Sequence, residues 1–467
     1  MLWNLIRKEF LNHILGFRFI TSALLCGVVV GTSIIVLRGD YLQRQRDFDA
    51  NRVAYRHQAE GRGSYVQLEQ QGVQVDRPPQ KTSIFFYGLD RTPDRTATVS
   101  GLFRAAFQGK LDINPVIPMF PVVDVLFVVA IVVSLLSFVF SYDAISGERE
   151  EGTLKLLLSY SLPRDRLILA KWIGGYVSLV IPLVIALLAA SVVVLFSQSV
   201  GFRGTDWAAL ALGAVVSLLF IAAMFSVGVF VSTLCARSST SISILLFIWV
   251  IFVLIIPNIS PYLAGRLAPI EPISKVENEV RQRVGDVVST FMQEIQAYQQ
   301  EHGSEIRTPE GGKAFQEWIE KKYEELKVAM NEAGKEVMEQ FERQSNTQLE
   351  VAQGLSRISP VASYIYAATD LAGTGVRAEQ RLRDVLKRYQ QDFKAYVARK
   401  TEEQKKKGRS MWERGEFDLS DMPVFQYTPG PISERLSGAL TDIALLAIFT
   451  ILFFLAAFLS FLRRDVI

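Results

Sequence analysis

Six long uncharged runs dominate this sequence and limit the folds that are open to it. Each run has the roughly 18 or more uncharged, mostly apolar residues that a helix needs to cross the hydrocarbon core of a bilayer. Half of the 467 residues are hydrophobic and 21% are charged, so the two kinds must be segregated along the chain. The runs cover residues 19–37, 125–142, 172–202, 207–236, 238–265 and 443–462. They predict an all-α polytopic membrane protein with six transmembrane helices.

Basic residues close to the ends of these runs predict the orientation, because Lys and Arg accumulate on the cytoplasmic side. They precede the first run, lie between the second and third and between the fourth and fifth, and follow the sixth. The residues are Arg7, Lys8, Arg18, Arg149, Lys155, Arg164, Arg166, Lys171, Arg237, Arg463 and Arg464. All lie on one side if the runs alternate. We therefore expect a multi-pass protein of the inner (cytoplasmic) membrane with both termini in the cytoplasm.

More than half of the chain would then lie outside the cytoplasm, in segments 39–120 and 266–436. The remaining units are a cytoplasmic helix at 1–18 and membrane segments at 19–38, 121–265 and 437–467, the last including a cytoplasmic tail. Residues 40–59 favour a helix. Residues 65–87 carry short alternating runs around Gly72, Pro78 and Pro79, which favours a few strands.

Two apolar stripes in the second outside segment predict a long antiparallel helical hairpin, a coiled coil at about 273–357. The first stripe has an eleven-residue period and the second is close to a heptad, with a breaker-rich turn between them. Their members are Val276, Val280, Val284, Val287, Phe291, Ile295 and Tyr298, then Ile319, Tyr323, Leu326, Met330, Ala333, Val337 and Phe341. Residues 358–375 are apolar but too short to span, so we expect an interfacial or re-entrant segment, followed by a helix at about 376–407.

A charged segment between the second and third runs, 143–171, carries the most specific pattern in the chain. Ser146 and Gly147 predict the end of one helix, and the acids from Glu148 to Glu151 predict the first turn of another, where they suit the helix dipole. Gly152 and Thr153 then precede an apolar run. A plain connection would not need such a helix, so we expect a partner to dock there.

That segment resembles the cytoplasmic coupling segment of ABC-2 type permeases, in which an acid, Gly-Thr-Leu, an apolar run, a Pro-basic step and a Lys follow one another. The coupling residues implied by the resemblance are Glu148, Arg149, Glu150, Glu151, Gly152, Thr153, Leu154, Leu157, Pro163 and Arg164. The resemblance covers the number and orientation of the spans, while the outside segments are far larger than in compact members. A solvated helix without a partner is the alternative.

The resemblance implies a transport subunit that is not itself an enzyme. It would pair with a second permease subunit, identical or different, and dock on a separate ABC ATPase that holds ATP and Mg. Membrane lipid would surround it, and no nucleic-acid partner is expected. The competing interpretation is a membrane-anchored protein that relays ATPase motion to extracytoplasmic protein partners without moving a solute.

The sequence offers no catalytic or metal site. His13, His57 and His302 are far apart, and no H-E-x-x-H or P-loop motif occurs. Cys26 and Cys235 lie in apolar runs, which leaves no case for an outside disulfide. We therefore expect this chain to bind no cofactor of its own.

Four further residues are candidates for an intramembrane or gate role. Asp124 and Asp442 lie at the outer starts of the second and sixth spans, where an acid is either functional or able to reach the interface. Pro257 and Pro261 end the fifth run, where the same family commonly has a bent helix at the outer gate. Kinking alone is the alternative for both prolines.

The first residues form an amphipathic helix, with Leu2, Trp3, Ile6, Phe10 and Ile14 on one face. It resembles the connecting helix of the same family, which lies beside the docked ATPase. A simple anchor in the inner headgroup region would have the same pattern, and the sequence does not separate the two.

Overall fold

The computed structural model describes residues 2–91, 94–101, 105–109, 121–154, 163–197, 199–407 and 418–463. Six helical stretches in these ranges are long and apolar enough to cross a membrane. They are Phe17–Glu60, Val125–Glu150, Arg164–Leu195, Gly204–Leu234, Ser238–Leu267 and Ile432–Arg463, called here the first to the sixth span. The prediction of an all-α polytopic membrane protein with six spans is confirmed.

The N-terminal helix α1, Leu2–Ile14, is followed by α2, Phe17–Glu60, which is much longer than its apolar part. At about 1.5 Å per residue, its 44 residues extend for roughly 65 Å. The sequence predicted one helix in the membrane and another at 40–59. The structure joins them into a single helix that leaves the bilayer without a break.

The second to fifth spans contain helices α4 to α10 and two π-helical turns. The second span consists of α4 (Val125–Phe127), a π-turn (Val128–Val133), α5 (Ser134–Ser141) and α6 (Ser146–Glu150). The third and fourth spans are α7 (Arg164–Leu195) and α8 (Gly204–Leu234). The fifth consists of α9 (Ser238–Trp249), a π-turn (Val250–Ile255) and α10 (Ile256–Leu267).

The fourth span lies at the centre of the membrane body. In its most apolar stretch of 18 residues 72% is buried, against 11% in the same kind of stretch of the fifth span and 17% in that of the sixth. Small residues explain this position, because they allow neighbouring helices to come close. A side chain at Gly228 would collide with Ser141 of α5, and one at Gly213 would collide with Phe86.

A paired set of helices, α11 (Ile273–His302) and α12 (Pro309–Ser356), follows the fifth span where the two apolar stripes occur. The helices touch closely at Gly334, where an added Cβ would lie 3.0 Å from Val280 Cγ1. Lys322 and Glu294 form an ion pair of 3.0 Å between them. The lower part of α12 continues beside α10.

Helix α13, Pro360–Ala372, is buried between the fourth span and the sixth span, α15 (Ile432–Arg463). The Tyr364 ring is fully buried, stacks on Phe220 at 4.8 Å and places its hydroxyl 3.1 Å from Ser217 Oγ. This is the segment for which the sequence predicted an interfacial or re-entrant position. Its helix packs inside the membrane body but is too short to cross it.

The outer half of α2, together with α3 (Tyr65–Gln71), α14 (Val376–Lys406) and a small sheet, forms a second unit that we call the polar domain. The sheet has the order β1 (Val73–Asp76), β2 (Asp94–Val99), β3 (Ala106–Gly109), and both pairings are antiparallel. Residues 65–87 thus contain one strand, since Ser64 caps α3 and Lys81–Ile84 forms a 3₁₀ turn. Residues 102–104 and 110–120 lie outside the described ranges.

An ion pair joins the polar domain to the hairpin of α11 and α12. Glu69 of α3 lies 3.0 Å from Lys327 of α12, and Gln70 donates to the Tyr323 hydroxyl at 3.1 Å. Burial raises the pKa of Glu69 although Lys327 favours its charged form. The hairpin therefore rests against the polar domain as well as on the spans.

Candidate functional site

The segment between the second and third spans begins with α6, and the fourth span determines where that helix starts. Ser232 of α8 is fully buried, and its Oγ accepts hydrogen bonds from the main-chain N–H groups of Ile145 at 3.0 Å and Ser146 at 3.1 Å. N–H groups at the start of a helix have no partner inside it, so the Ser232 hydroxyl acts as an N-cap. The prediction that a helix ends at Ser146 was therefore wrong, since one begins there.

Glu148 connects α6 to the third span and to α1. Its Oε1 lies 2.7 Å from Lys171 Nζ, and the same Nζ lies 3.3 Å from Glu9 Oε1. Lys171 is only 6% exposed, and a buried ammonium group requires such carboxylate partners. Close approach of α1 depends on Gly174, where an added Cβ would lie 2.8 Å from Glu9 Cβ.

Arg149 and Glu150 connect α6 to the boundary between the fourth and fifth spans. Arg149 Nη1 donates to the main-chain carbonyl of Cys235 at 2.9 Å. Glu150 Oε2 accepts from the N–H of Ser238 at 3.0 Å, and Ser238 is the first residue of α9. A carboxylate at a helix start is favoured by the unpaired N–H groups and the helix dipole.

Gly152 reverses the chain after α6. Its φ is +74°, a left-handed conformation that favours glycine, and no atom lies within 4 Å of an added Cβ. The Thr153 hydroxyl then donates to the Glu148 carbonyl at 3.2 Å. Leu154 is 1% exposed and packs in the main hydrophobic core of the protein. We expected Leu154 to contact a partner, but it faces inward and anchors the segment.

Three neighbouring residues of the segment are exposed: Glu150, Glu151 and Gly152. We call them the coupling surface. Leu157 lies outside the described residues, as does all of 155–162. Pro163 and Arg164 begin the third span, and Arg164 Nη1 donates to the Leu462 carbonyl of the sixth span at 3.2 Å.

Helix α1 is fastened to the same end of the spans. Its His13 ring stacks on Phe140 at 5.7 Å, and burial lowers the pKa of His13. Just beyond α1, Arg18 binds both carboxylate oxygens of Asp143 at 2.8 and 3.1 Å. The coupling surface, α1 and the ends of several spans are thus held together as one unit.

The two intramembrane acids both have partners. Asp124 is 4% exposed and caps the second span by accepting from the N–H of Phe127, while its other oxygen accepts from the N–H of Tyr87, both at 2.8 Å. Asp442 is 1% exposed and lies 2.7 Å from Arg357 Nε at the end of α12. Each acid binds the membrane body to a segment outside it.

Pro257 follows the π-turn of the fifth span and has no N–H to donate. In the π pattern, the carbonyl left free is that of Phe252, five residues earlier. Ser359 supplies the missing donor, since its hydroxyl donates to the Phe252 carbonyl at 2.5 Å. The same hydroxyl accepts from the N–H of Val361 at 3.1 Å. Pro261 lies one turn further along, inside α10.

A family model described as "ABC-2 family transporter protein" matches residues 3–466, which is nearly the whole chain. The chain belongs to the ABC-2 transporter family. Its members supply the permease component of ABC transporters, so this chain is a membrane transport subunit. No curated protein matches it.

Sequence reasoning missed the residues of this permease that hold its site together. Ser232 had one signal in the sequence: it lies four residues after Gly228, so two small residues share one face of the fourth span. Ser359 and Arg357 had none, because their partners Phe252 and Asp442 are distant in sequence. In the part of the chain that the structure describes, no three His, Cys, Asp or Glu side chains form a potential metal site.

Proposed function

We propose that this permease couples ATP hydrolysis by a separate ABC ATPase to the export of a substrate across the cytoplasmic membrane. The observation that carries the proposal is the attachment of the coupling surface. Three consecutive side chains of α6, Glu148, Arg149 and Glu150, bind the third span, the end of the fourth and the start of the fifth. A displacement of the coupling surface would therefore be passed to several spans at once.

The same arrangement suits the docking of a partner. Glu151 and Gly152 are exposed, and Glu151 adds a negative charge beside that of Glu150. Basic residues or main-chain donors on the ATPase would complement these acids. ATP and Mg would be held by the ATPase, and this chain would bind neither.

The basic residues near the span ends support an orientation with both termini in the cytoplasm. The coupling surface and α1 would then face the ATPase, and the polar domain and hairpin would be extracytoplasmic. Two such permease bodies, identical or different, would pair around the transport path. The weakly buried fifth span offers apolar surface for lipid or for that pairing.

A second function, transmission of ATPase motion to extracytoplasmic proteins without solute transport, is favoured by the contacts at the base of the hairpin. Ser359 binds the main chain of the fifth-span π-turn at Phe252, and Arg357 binds the sixth span through Asp442. Motion of either span would reach α12 directly. ATP-dependent substrate movement in sealed vesicles would decide for export, and hairpin movement without it would decide for transmission.

The docking proposal is tested by charge reversal at Glu151, which is exposed and can be changed without disturbing the contacts of α6. Tagged permease is purified from native membranes, and the co-purified ABC ATPase and its ATP hydrolysis in liposomes are measured. Glu151→Lys should lower both, while the amount of permease in the membrane stays the same. Glu336→Lys, on a side chain that is 82% exposed in the hairpin, is the matched control. Full retention of binding and stimulation by Glu151→Lys would refute docking at this surface.

A further inference from the structure

Strand β1 has a free edge in the polar domain. Among the residues that the structure describes, it is the end strand of the sheet and pairs with β2 alone. The pairing register opposes Val73 to Val99 and Asp76 to Thr96, and the ladder continues with the N–H of Arg77 donating to the Arg95 carbonyl at 2.7 Å.

The alternation of an antiparallel ladder fixes which main-chain groups of β1 face outward. Because Arg77 is hydrogen-bonded to β2, Val75 and Val73 are too, and the N–H and C=O groups of Gln74 and Asp76 point away from β2. The main chain at these two residues has no hydrogen-bond partner among the residues that the structure describes. Unpaired groups of this kind are a template for another strand.

The free edge lies in a cavity of about 470 Å³, and α2 is joined to β1 at one end of it, where Asn51 and Tyr55 hydrogen-bond the Asp76 side chain at 2.6 and 3.2 Å. One wall is the outer half of α2, with Phe48, Arg52 and Val53, and the other includes Met422 and Val424. Val53 and Val424 are 56% and 54% exposed, so each wall is open and carries an exposed apolar side chain. Within the described ranges Arg52 has no ion-pair partner, which leaves a positive charge at the rim.

We propose that this groove binds an extended peptide segment of another protein, which adds to β1 as a fourth strand of the sheet. Main-chain hydrogen bonds to Gln74 and Asp76 would supply affinity, and apolar side chains at alternate positions would pack on Val53 and Val424. A carboxylate of the peptide would lie beside Arg52. Only the location of the partner, outside the cytoplasm, rests on the proposed orientation of the permease.

The probe for this site is a phage-displayed library of random dodecapeptides, selected on the full-length permease in lipid nanodiscs and counter-selected on empty nanodiscs. Both faces of the permease are accessible there, so the result does not depend on orientation or on an ATPase. Affinity of the selected peptides is measured by fluorescence anisotropy. Amide hydrogen exchange at Gln74 and Asp76 should slow when they bind.

Gln74→Pro is the deciding variant, because proline removes the outward N–H and leaves the β1–β2 ladder intact. The selected peptides should bind Gln74→Pro roughly tenfold more weakly, and Gln74→Ala with little change. Unchanged exchange of residues 94–99 shows that Gln74→Pro still forms the sheet.

Three results would overturn the proposal. One is that no peptide is enriched over empty nanodiscs, or that enriched peptides bind Gln74→Pro as tightly as the wild type. Another is slow exchange at Gln74 and Asp76 before any peptide is added, which would show that another part of this chain covers the edge. The third is that laurate displaces the peptides and binds the wild type and Gln74→Pro with equal affinity. That result would make the groove a site for acyl chains.

Discussion

Arg357 and Asp442 form a bidentate ion pair, in which Nε and Nη2 of the guanidinium lie 2.7 and 3.0 Å from the two carboxylate oxygens. Arg357 ends the long helix α12, and Asp442 belongs to the sixth span. The pair therefore joins the base of the hairpin to the membrane body. It also explains how an acid is tolerated in that span, because a buried charge needs a partner.

The two ends of this pair should respond differently to mutation. The Asp442 side chain is 1% exposed and that of Arg357 is 24% exposed. Arg357→Ala should cost about 3–5 kcal/mol, because it leaves a buried carboxylate unpaired. Asp442→Ala should cost less, since the guanidinium can turn toward solvent, and the double variant should recover part of the loss. Thermal unfolding of the purified permease measures all three, and equal losses for the two single variants would contradict this assignment.

Gly152 should tolerate only residues that accept a positive φ. Gly152→Val should cost about 1–2 kcal/mol locally, distort the coupling surface and reduce stimulation of the ATPase. Gly152→Asn is the control, because asparagine visits the left-handed region more readily. Stimulated ATP hydrolysis in liposomes is the measurement, normalised to permease content. Equal activity of the two variants would mean that this turn does not shape the coupling surface.

The contact between α11 and α12 is tested by enlarging two glycines of α12. Gly334→Leu should push the helices apart at Val280 and cost about 1–3 kcal/mol. Gly354→Leu should be neutral or slightly stabilising, since nothing lies within 4 Å of its added Cβ and leucine favours a helix. Limited proteolysis of the hairpin gives the comparison. If both variants resist protease like the wild type, the close approach at Gly334 is not important for stability.

Docking of α1 on the third span should weaken as the pH falls. Burial lowers the pKa of His13 below its ordinary value of about 6.5. Lys171 and Arg18 act in the same direction, and the carboxylates of Glu9 and Asp143 oppose them. The docked helix thus binds fewer protons than the undocked one, so stability present above about pH 6.5 is lost below it.

The control for this pH dependence is His13→Phe, which keeps a ring against Phe140 but cannot titrate. Melting temperatures are compared from about pH 8 to about pH 5.5, and the wild type should lose more than the variant. The difference between the two proteins removes the contribution of other titrating groups. An identical loss in both would show that His13 does not control docking.

The spans could be predicted because hydropathy is a local property of the chain. The same holds for α11 and α12, which lie where two apolar stripes and a breaker-rich turn occur. A short helix with these acids was predicted, but the start of α6 at Ser146 could not be, because it depends on the Ser232 hydroxyl, 86 residues away from Ser146. The direction in which Leu154 points was missed for a related reason, since a single apolar residue fits a surface contact and a core equally well.

The strands of the polar domain were also hard to predict, because they too depend on residues distant in sequence. Gly72 and the paired prolines marked breaks correctly, but the alternation at 65–71 belongs to a helix capped by Ser64. Pairing of β1 with β2 depends on residues 94–99, which carried no strand signal in our interpretation. Long-range pairing decided the structure there, as it commonly does for short strands.

The continuity of α2 gives the permease a lever. This helix has no joint between the membrane and the polar domain, so tilting it in the bilayer must swing its far end. A tilt of about 10° would carry the end of the helix, some 35 Å beyond its apolar part, sideways by about 6 Å. The outer half of α2 carries Phe48, Arg52 and Val53, which form one wall of the cavity beside β1. Asn51 and Tyr55 on the same part of α2 are hydrogen-bonded to the Asp76 side chain of β1, so a rocking motion of the first span would carry the cavity and the polar domain around it sideways together.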